Sequence, residues 1–216
     1  MFQIVNKGGK MKVIELLAEG FEEIEALTPV DYLRRAGIET AIAGVGQTCN
    51  GSGGISGGHK IRIECDFSLT DCLCSNAKSD LPDAIIIPGG LNGAKNIAKN
   101  QAAMSLIKEM NENNRLVCAI CAAPIVVLAQ TGILKGRKFT CYPDMEKQLE
   151  DFVPDAGKIS ELMEGSELIK DKAAVQDGNL ITARGPGAAE EFSMAIINAL
   201  CGEKTVQQIK VQGCLR

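Results

Sequence analysis

The sequence predicts an α/β fold in which helices cover both faces of a mostly parallel, doubly wound sheet. Short apolar runs rich in valine and isoleucine, typical of buried strands, alternate with longer helix-like stretches. The 216 residues are 45% hydrophobic, which suffices for one good core. We therefore expect a single domain over residues 11–216. Residues 1–10 precede the first convincing strand and are predicted to be an N-terminal extension or a remnant of an upstream sequence.

The alternation of elements begins just after Met11. Four segments bounded by turn residues are predicted to be buried strands: Lys12–Leu17, Thr40–Val45, Ala84–Ile87 and Leu116–Ile120. Helices are predicted near Glu22–Ala36, Ala102–Asn113 and Pro124–Gln130. The glycines and proline of Gly185–Gly187 predict the start of a final helix that runs through Leu200.

Two hairpins are predicted outside this alternation. The glycine-rich segment 50–58 precedes the alternating run Lys60–Glu64, which indicates a hairpin or an excursion away from the main sheet. Later, Asp177 and Gly178 form an Asp-Gly pair between two strand-like runs within residues 173–182. This pair is typical of a tight hairpin turn.

Composition excludes several classes of function. The net charge is −4 and the basic residues are scattered, so neither nucleic acid nor an anionic membrane is an expected partner. No apolar run approaches the roughly 20 residues of a membrane span, and the N-terminus lacks the pattern of a secretory signal. The nine cysteines do not follow the spacing of a secreted disulfide framework, so we expect a cytoplasmic protein. With one histidine, a His-rich metal site is excluded, and no cofactor is predicted.

Cys121 lies where a strand-like stretch ends and a helix-like stretch begins. The first free N–H groups of a helix carry partial positive charge, which favours a thiolate over a thiol. The alternative interpretation is an inert core cysteine, which is the common fate of a cysteine in an apolar run.

A second strand-to-helix turn contains Gly89 and Gly90. The carboxyl ends of strands in a doubly wound sheet share one edge, so the amide of Gly90 is expected to face the amide of Ala122 near Cys121. Two converging N–H groups beside a nucleophile form an oxyanion hole. The alternative is that the two glycines serve only a tight turn.

The cysteines allow two other chemistries, a redox dithiol and a cysteine protease. Cys118 and Cys121 have the spacing of a redox dithiol, but in a strand their Cα atoms would be roughly 10 Å apart, too far for a disulfide, so Cys118 is predicted to be a core residue. A cysteine protease needs a nearby imidazole base. The single histidine, His59, lies far upstream and is predicted to be a surface loop residue, while Ala122 follows the thiol.

The remaining proton carrier is a carboxylate from the cluster at the end of the first strand, Glu19–Glu25. Acidic residues at a helix start also occur for the helix dipole alone. The predicted apolar stripe of this helix, Ile24, Leu27, Val30 and Leu33, does not single out Glu25. The residues themselves leave the choice within the cluster open.

Six segments carry family motifs in order and with similar spacing: Ala18–Glu25, Pro29–Asp31, Arg34–Gly37, Ile87–Gly90, Ala119–Pro124 and Arg184–Gly187. With them the chain resembles the ThiJ/PfpI superfamily from about Met11 to about Lys210, most closely the branch of the parkinsonism-associated protein deglycase. The resemblance implies a flavodoxin-like fold, a homodimer, a nucleophilic cysteine at Cys121 and a partner carboxylate at Glu25. An ionised carboxylate beside a thiolate would raise both pKa values, so Glu25 is expected to be buried and protonated near neutral pH.

The chain also departs from its relatives. Tyr142 stands where some of them carry a histidine near the thiol, and His59 falls near a position often held by arginine at the dimer contact. Within the motifs, Arg35 and Pro186 are further candidates for the pocket or the dimer contact. Peptidase-like relatives have histidine after the nucleophile, which argues against proteolysis here.

Three functions follow as hypotheses. The first is a glyoxalase or protein deglycase that acts on methylglyoxal-like aldehydes or on glycated protein through Cys121 and Glu25, with Gly90 and Ala122 as the oxyanion hole. The second is a redox sensor or chaperone in which Cys121 is oxidised to sulfinate without turnover. The third is a cysteine hydrolase or peptidase with His59, from a partner subunit, as the base.

Overall fold

A computed structural model of the chain describes residues 11–46, 54–70 and 81–215. The predicted N-terminal extension 1–10 lies outside the described residues, as do residues 50–53 of the glycine-rich segment. None of the described helices is long and apolar enough to cross a membrane.

The strands, in chain order, are β1 Lys12–Leu17, β2 Glu39–Gly44, β3 Ile55–Ser56, β4 Arg62–Ile63, β5 Phe67–Ser68, β6 Ala84–Ile87, β7 Leu116–Ile120, β8 Lys138–Phe139, β9 Glu167–Leu168, β10 Ala174–Asp177 and β11 Leu180–Ala183. The main sheet has the order β10-β11-β7-β6-β1-β2-β5. Its neighbouring strands are parallel except for the antiparallel pair β10 and β11. The predicted α/β class with a mostly parallel sheet is therefore confirmed.

The α-helices are α1 Glu23–Arg35, α2 Leu91–Lys99, α3 Gln101–Glu112, α4 Ala123–Val126, α5 Leu149–Phe152, α6 Ile159–Leu162, α7 Ala189–Cys201 and α8 Glu203–Gln212. Short 3₁₀ turns follow or precede several of them, at Leu128–Thr131, Met145–Gln148, Ala156–Lys158 and Pro186–Ala188.

Successive side chains of each strand point to opposite sides of the sheet. Because the central strands are apolar throughout, both faces of the sheet are apolar, and helices cover both. On one face, Ile85 and Val117 pack in a cluster with Ile97 of α2 and Ile107 of α3. On the other face, a second cluster joins inward residues of β6 and β7 to α1 and α7: Ile86, Cys118, Leu33, Phe192 and Ile196. Each central strand is thus buried on both sides, which explains its continuous apolar sequence.

The predicted bounds of β1, β6 and β7 agree with the structure, and β2 lies one residue earlier than predicted. The hairpin of β10 and β11 also forms, and its two-residue turn begins at Gly178 with a φ of +56°. The helix predicted over Pro124–Gln130 was wrong in length, because α4 ends at Val126 and continues as a 3₁₀ turn. The β-branched run Ile125–Val127 weakens an α-helix there.

Candidate active site

Four loops meet at the carboxyl ends of the parallel strands, where β1, β6, β7 and β11 stop. The N–H of Glu22, after β1, donates to the carbonyl of Gly89, after β6, at 3.1 Å. The N–H of Cys121, after β7, donates to the carbonyl of Ala183 at the end of β11, at 2.9 Å. These backbone bonds join the four loops in two pairs beside Cys121.

Cys121 occupies a strained backbone position. Its φ is +65°, a region that residues with a side chain rarely adopt and that costs on the order of 1–3 kcal/mol. Besides the bond to Ala183, its carbonyl accepts the N–H of Tyr142 at 2.8 Å. Backbone groups of two nearby loops therefore hold Cys121 through both its N–H and its carbonyl. The thiol itself is only partly buried.

Glu25 is fully buried in the first turn of α1 and lies within hydrogen-bonding reach of the Cys121 thiol. Its Oε2 accepts the N–H of Gly89 at 2.9 Å. Its Oε1 is buried with no hydrogen-bond partner among the described residues. The helix start is fixed by Glu22, whose carboxylate accepts the N–H of Glu25 at 2.7 Å and caps the helix.

The apolar stripe predicted for α1 was wrong at its first member. Ile24 is 54% exposed, whereas Glu23 and Glu25 are buried, together with Val30 and Leu33 further along. The first turn of α1 faces the loops at the strand ends rather than the apolar core, so its inward positions carry polar groups. Hydrophobic periodicity alone cannot find such a reversal.

Glu25 and Cys121 form a coupled acid pair. Burial raises the pKa of Glu25 to about 7, partly opposed by the hydrogen bonds from Cys121 and Gly89. Burial, and next the charge of Glu25, raise the pKa of Cys121 well above its ordinary value. The pair therefore holds two protons below about pH 7 and one above it.

The helix start favours the Cys121 thiolate, but it is not the largest influence on the thiol. The amides of Gly90 and Ala122 do lower the pKa of its thiol, but burial and the neighbouring carboxylate outweigh them. In addition, α4 has only four residues, so its dipole is small. The Cys121 thiol ionises most readily when Glu25 takes up its proton.

The structure brings Gly90 and Ala122 to the thiol, since both N–H groups interact with the Cys121 sulfur. Gly90 has a φ of +78°, and a Cβ there would lie 2.4 Å from the carbonyl oxygen of Gly20. Tyr142 lies at the rim of the site, half exposed. Pro186 is half-buried and begins the 3₁₀ turn that follows Gly185.

Two further glycines line the pair and have functions that the sequence did not reveal. A Cβ on Gly89 would lie 2.4 Å from Oε2 of Glu25 and 2.6 Å from Cβ of Cys121. A Cβ on Gly185 would lie 3.3 Å from the ring of Tyr142 and 3.8 Å from Oε1 of Glu25. Each glycine lies two residues after a strand that ends at the shared edge, β6 for Gly89 and β11 for Gly185, and this position is the signal that could have identified them.

His59 and Arg35 do not join the pair. His59 lies in the β3–β4 hairpin with 74% of its side chain exposed, and its Nδ1 is 2.9 Å from Oε2 of Glu23. The carboxylate of Glu23 also accepts the N–H groups of His59 and Ile61. Arg35 lies at the opposite end of α1, where it pairs with Asp31 at 2.7 Å, so it does not line the pocket.

One cluster in the described part of the chain offers three ligand atoms to a cation. These atoms of Glu22, Glu23 and His59 lie within 4.8 Å of one another. The hydrogen bonds between Glu23 and His59, and from Glu25 to Glu22, already satisfy this group. They account for the cluster without an ion.

The dithiol alternative receives no support from the fold. Cys118 is fully buried inside β7, in the cluster between the sheet and α7, and both Cys118 and Cys121 are free thiols. Burial raises the pKa of Cys118 well above its ordinary value, as in an inert core cysteine.

Comparisons with known proteins agree with this architecture. The sequence profile of the DJ-1/PfpI family matches residues 11–199. Protein dj-1beta of Drosophila melanogaster is 36% identical over 195 residues, 90% of this chain and 91% of that protein. The Parkinson disease protein 7 homolog of Danio rerio is 34% identical over 200 residues, 92% of this chain and 94% of that protein.

Solved structures show the same fold. The crystal structure of Drosophila melanogaster DJ-1beta matches with a TM-score of 0.80 at 33% identity, over 96% of this chain and all 100% of that one. Oxidized DJ-1 of Toxoplasma gondii matches with a TM-score of 0.77 at 27% identity, over 94% of this chain and 98% of that one. The flavodoxin-like arrangement expected from the sequence motifs is thereby confirmed.

Proposed function

Because the chain belongs to the DJ-1/PfpI family, we propose that it is a cysteine-dependent glyoxalase or protein deglycase. Its substrates would be methylglyoxal-like reactive aldehydes or their early adducts on proteins. The observation that carries the proposal is the pairing of Cys121 with the buried Glu25, whose Oε1 has no partner among the described residues. An unsatisfied carboxyl oxygen beside a thiol is suited to moving protons on a bound substrate.

The pair supports addition of the thiol to an aldehyde. The Glu25 carboxylate accepts the Cys121 proton while the sulfur bonds to the aldehyde carbon, and the N–H groups of Gly90 and Ala122 stabilise the oxygen that becomes negative. That oxygen then takes the proton from Glu25, which gives a neutral hemithioacetal and restores the Glu25 carboxylate. No step needs a positive group, which fits a site without an imidazole.

Proton transfer between the two carbons of the substrate completes the reaction. Glu25 moves the proton of the former aldehyde carbon to the neighbouring carbonyl carbon, and the hydroxyl proton of the hemithioacetal passes to the oxygen of that carbonyl, so the first carbon is oxidised to a thioester and the second is reduced to an alcohol. Water then hydrolyses the thioester, releasing the hydroxy acid and restoring the thiol. The net change is methylglyoxal plus water to lactic acid, with no external oxidant.

A steady-state assay of lactate formation tests this proposal. We expect turnover by the wild type, no detectable turnover by Cys121→Ala, and at least about a 100-fold loss in Glu25→Gln, since general acid-base groups contribute about that much. Cys201→Ser is a matched control, because Cys201 is an exposed thiol on α7. Wild-type protein without lactate production, or Cys121→Ala with normal rates, would contradict the proposal.

We propose in addition that the chain works as a homodimer. Ile24 and Ile61 are 54% and 50% exposed, and they adjoin Glu23, which bonds to the N–H of Ile61. Exposed isoleucines of this kind are suited to contact with a second copy. Light scattering of Ile24→Glu tests this, with a monomer expected for the variant and a dimer for the wild type. A wild-type monomer would refute it.

A second candidate function is redox sensing, favoured by the likeness to oxidized Toxoplasma gondii DJ-1. In this chain the amides of Gly90 and Ala122 would stabilise a Cys121 sulfinate, and Glu25 would donate a hydrogen bond to it. Mass spectrometry after mild peroxide would then find Cys121 oxidised before the exposed Cys201 and Cys214. Earlier oxidation of the exposed pair would exclude this role.

A further inference from the structure

Arg184 lies between two residues that build the candidate active site. The preceding residue, Ala183, accepts the N–H of Cys121 at 2.9 Å. The following residue, Gly185, faces the ring of Tyr142 and the unpartnered Oε1 of Glu25. The backbone that carries Arg184 is therefore part of the wall of the site, although its side chain is exposed.

A small cavity opens beside this wall. It has a volume of about 80 Å³, and its lining includes Tyr142, Arg184, Lys170, Asp144 and Glu146. At roughly 30 Å³ per water molecule, this space suits two or three waters or one carboxylate-sized or phosphate-sized group. Since Tyr142 belongs both to this lining and to the rim of the active site, the cavity adjoins the place where a substrate would lie.

The cavity lining holds two acidic and two basic side chains, and of these Arg184 has no carboxylate partner among the described residues. Both carboxylates have lysine partners, Glu146 with Lys170 at 2.6 Å and Asp144 with Lys147 at 2.6 Å. Arg184 takes part in none of the ion pairs found in the described part of the chain, and its one hydrogen bond through the side chain there runs to the carbonyl of Lys170, at 3.5 Å. A guanidinium has five N–H donors, so most of them remain available to a ligand.

We propose that this chain prefers aldehyde substrates that carry an anionic group, and that Arg184 binds this group at the cavity while the carbonyl lies against Cys121. The inference rests on the proposed function, since it names the substrate class of the same site. Carboxylate and phosphate both fit a guanidinium in a two-point hydrogen-bonded geometry. The reaction is unchanged: a 2-oxoaldehyde and water give the 2-hydroxy acid, and the anionic group keeps all its bonds.

The test compares three 2-oxoaldehydes as substrates: neutral methylglyoxal, 4,5-dioxopentanoate with a carboxylate, and hydroxypyruvaldehyde phosphate. The wild type is expected to show a higher kcat/KM for at least one anionic substrate than for methylglyoxal, and the two anionic substrates separate carboxylate from phosphate preference. Arg184→Met is expected to lose about 10- to 100-fold in kcat/KM for the preferred anion, mainly through KM. Its kcat/KM for methylglyoxal should stay within about twofold of the wild type.

Two further variants control for charge and fold. Arg184→Lys should recover part of the loss, since it keeps the charge without the planar fork. Lys108→Met removes one positive charge from the exposed side of α3 and should change none of the three rates. Circular dichroism and thermal unfolding of Arg184→Met should match the wild type, because the side chain is exposed.

The outcomes separate this inference from the proposed function. If the wild type turns over methylglyoxal but shows no preference for either anion, the inference alone is overturned. The same holds if Arg184→Met lowers the rates for neutral and anionic substrates equally. If the wild type turns over none of the three compounds, the proposed function fails and this inference fails with it.

Discussion

The backbone N–H of Gly89 donates to Oε2 of Glu25 at 2.9 Å, and a Cβ at position 89 would lie 2.4 Å from that same oxygen. The carboxyl group thus occupies the space that any other residue would need. The same Cβ would also lie 3.1 Å from the Cys121 sulfur. Glycine at this position is therefore a requirement of the acid pair and not only of the turn.

Gly89→Ala should consequently damage the site more than the fold. The added methyl group must displace Glu25 or Cys121, and we expect the rate of lactate formation to fall by at least about 100-fold, the scale of losing a positioned proton carrier. Gly187→Ala is the matched control, because a Cβ on Gly187 meets no atom within 4 Å. Parallel assays that find equal activity in the two variants would refute this packing argument.

Glu15 supplies a prediction about stability. It is fully buried in β1, and neither of its oxygens has a hydrogen-bond partner among the described residues. Burial raises the pKa of its carboxyl well above the ordinary value, and the charge of Arg34 opposes this only in part. Since the folded pKa is raised, stability is lost as the pH rises above about 4.5.

Glu15→Val should therefore be more stable than the wild type, by about 1–3 kcal/mol at pH 8, because it removes an unpaired polar group from the core. The gain should shrink as the pH falls toward 4.5, where the unfolded state begins to take up the proton that the folded state already holds. Urea unfolding at the two pH values measures the difference. Glu39→Gln, at an exposed position that starts β2, should leave stability unchanged. A destabilised Glu15→Val would contradict the burial argument.

The sheet was predictable because its central strands are buried on both faces and their sequences are continuously apolar, as in Ala84–Ile87. The position of Cys121 at a strand end was equally visible. The burial of Glu25 was expected only from the family resemblance and not from the helical pattern, because tertiary contacts with the loop at Gly89 override the pattern that places Ile24 inward. The raised pKa of Cys121 likewise followed only after the resemblance had paired it with Glu25, since it depends on burial and on a carboxyl group that is distant in sequence.

For Glu23 we expect the opposite dependence of stability on pH from that of Glu15. Burial alone would raise the pKa of its carboxyl, but the hydrogen bonds from His59, its own amide and Ile61 outweigh burial and lower it. Because the folded pKa is lowered, the contribution to stability is present above about pH 4.5 and is lost as the pH falls further.

Glu23→Gln should lose about 1–3 kcal/mol at pH 7, the usual worth of hydrogen bonds to a charged group, because it loosens the β3–β4 hairpin. The difference from the wild type should narrow below about pH 4, where the carboxylate becomes protonated. His59→Ala should cost less, because its ring is mostly exposed. Thermal unfolding across this pH range measures the loss of stability in each variant. A larger loss in His59→Ala than in Glu23→Gln would contradict the prediction.

We propose that Cys121 and Glu25 act as one unit that must lose one proton and keep the other. The most direct test is the pH dependence of kcat/KM for methylglyoxal, measured for the wild type and for Glu25→Gln. The wild-type value should rise with pH through about 7, the pKa of Glu25, and then level off. Glu25→Gln should be at least about 100-fold slower, with no transition near that pH. A Glu25→Gln variant that keeps the wild-type rate and the same transition would contradict the account.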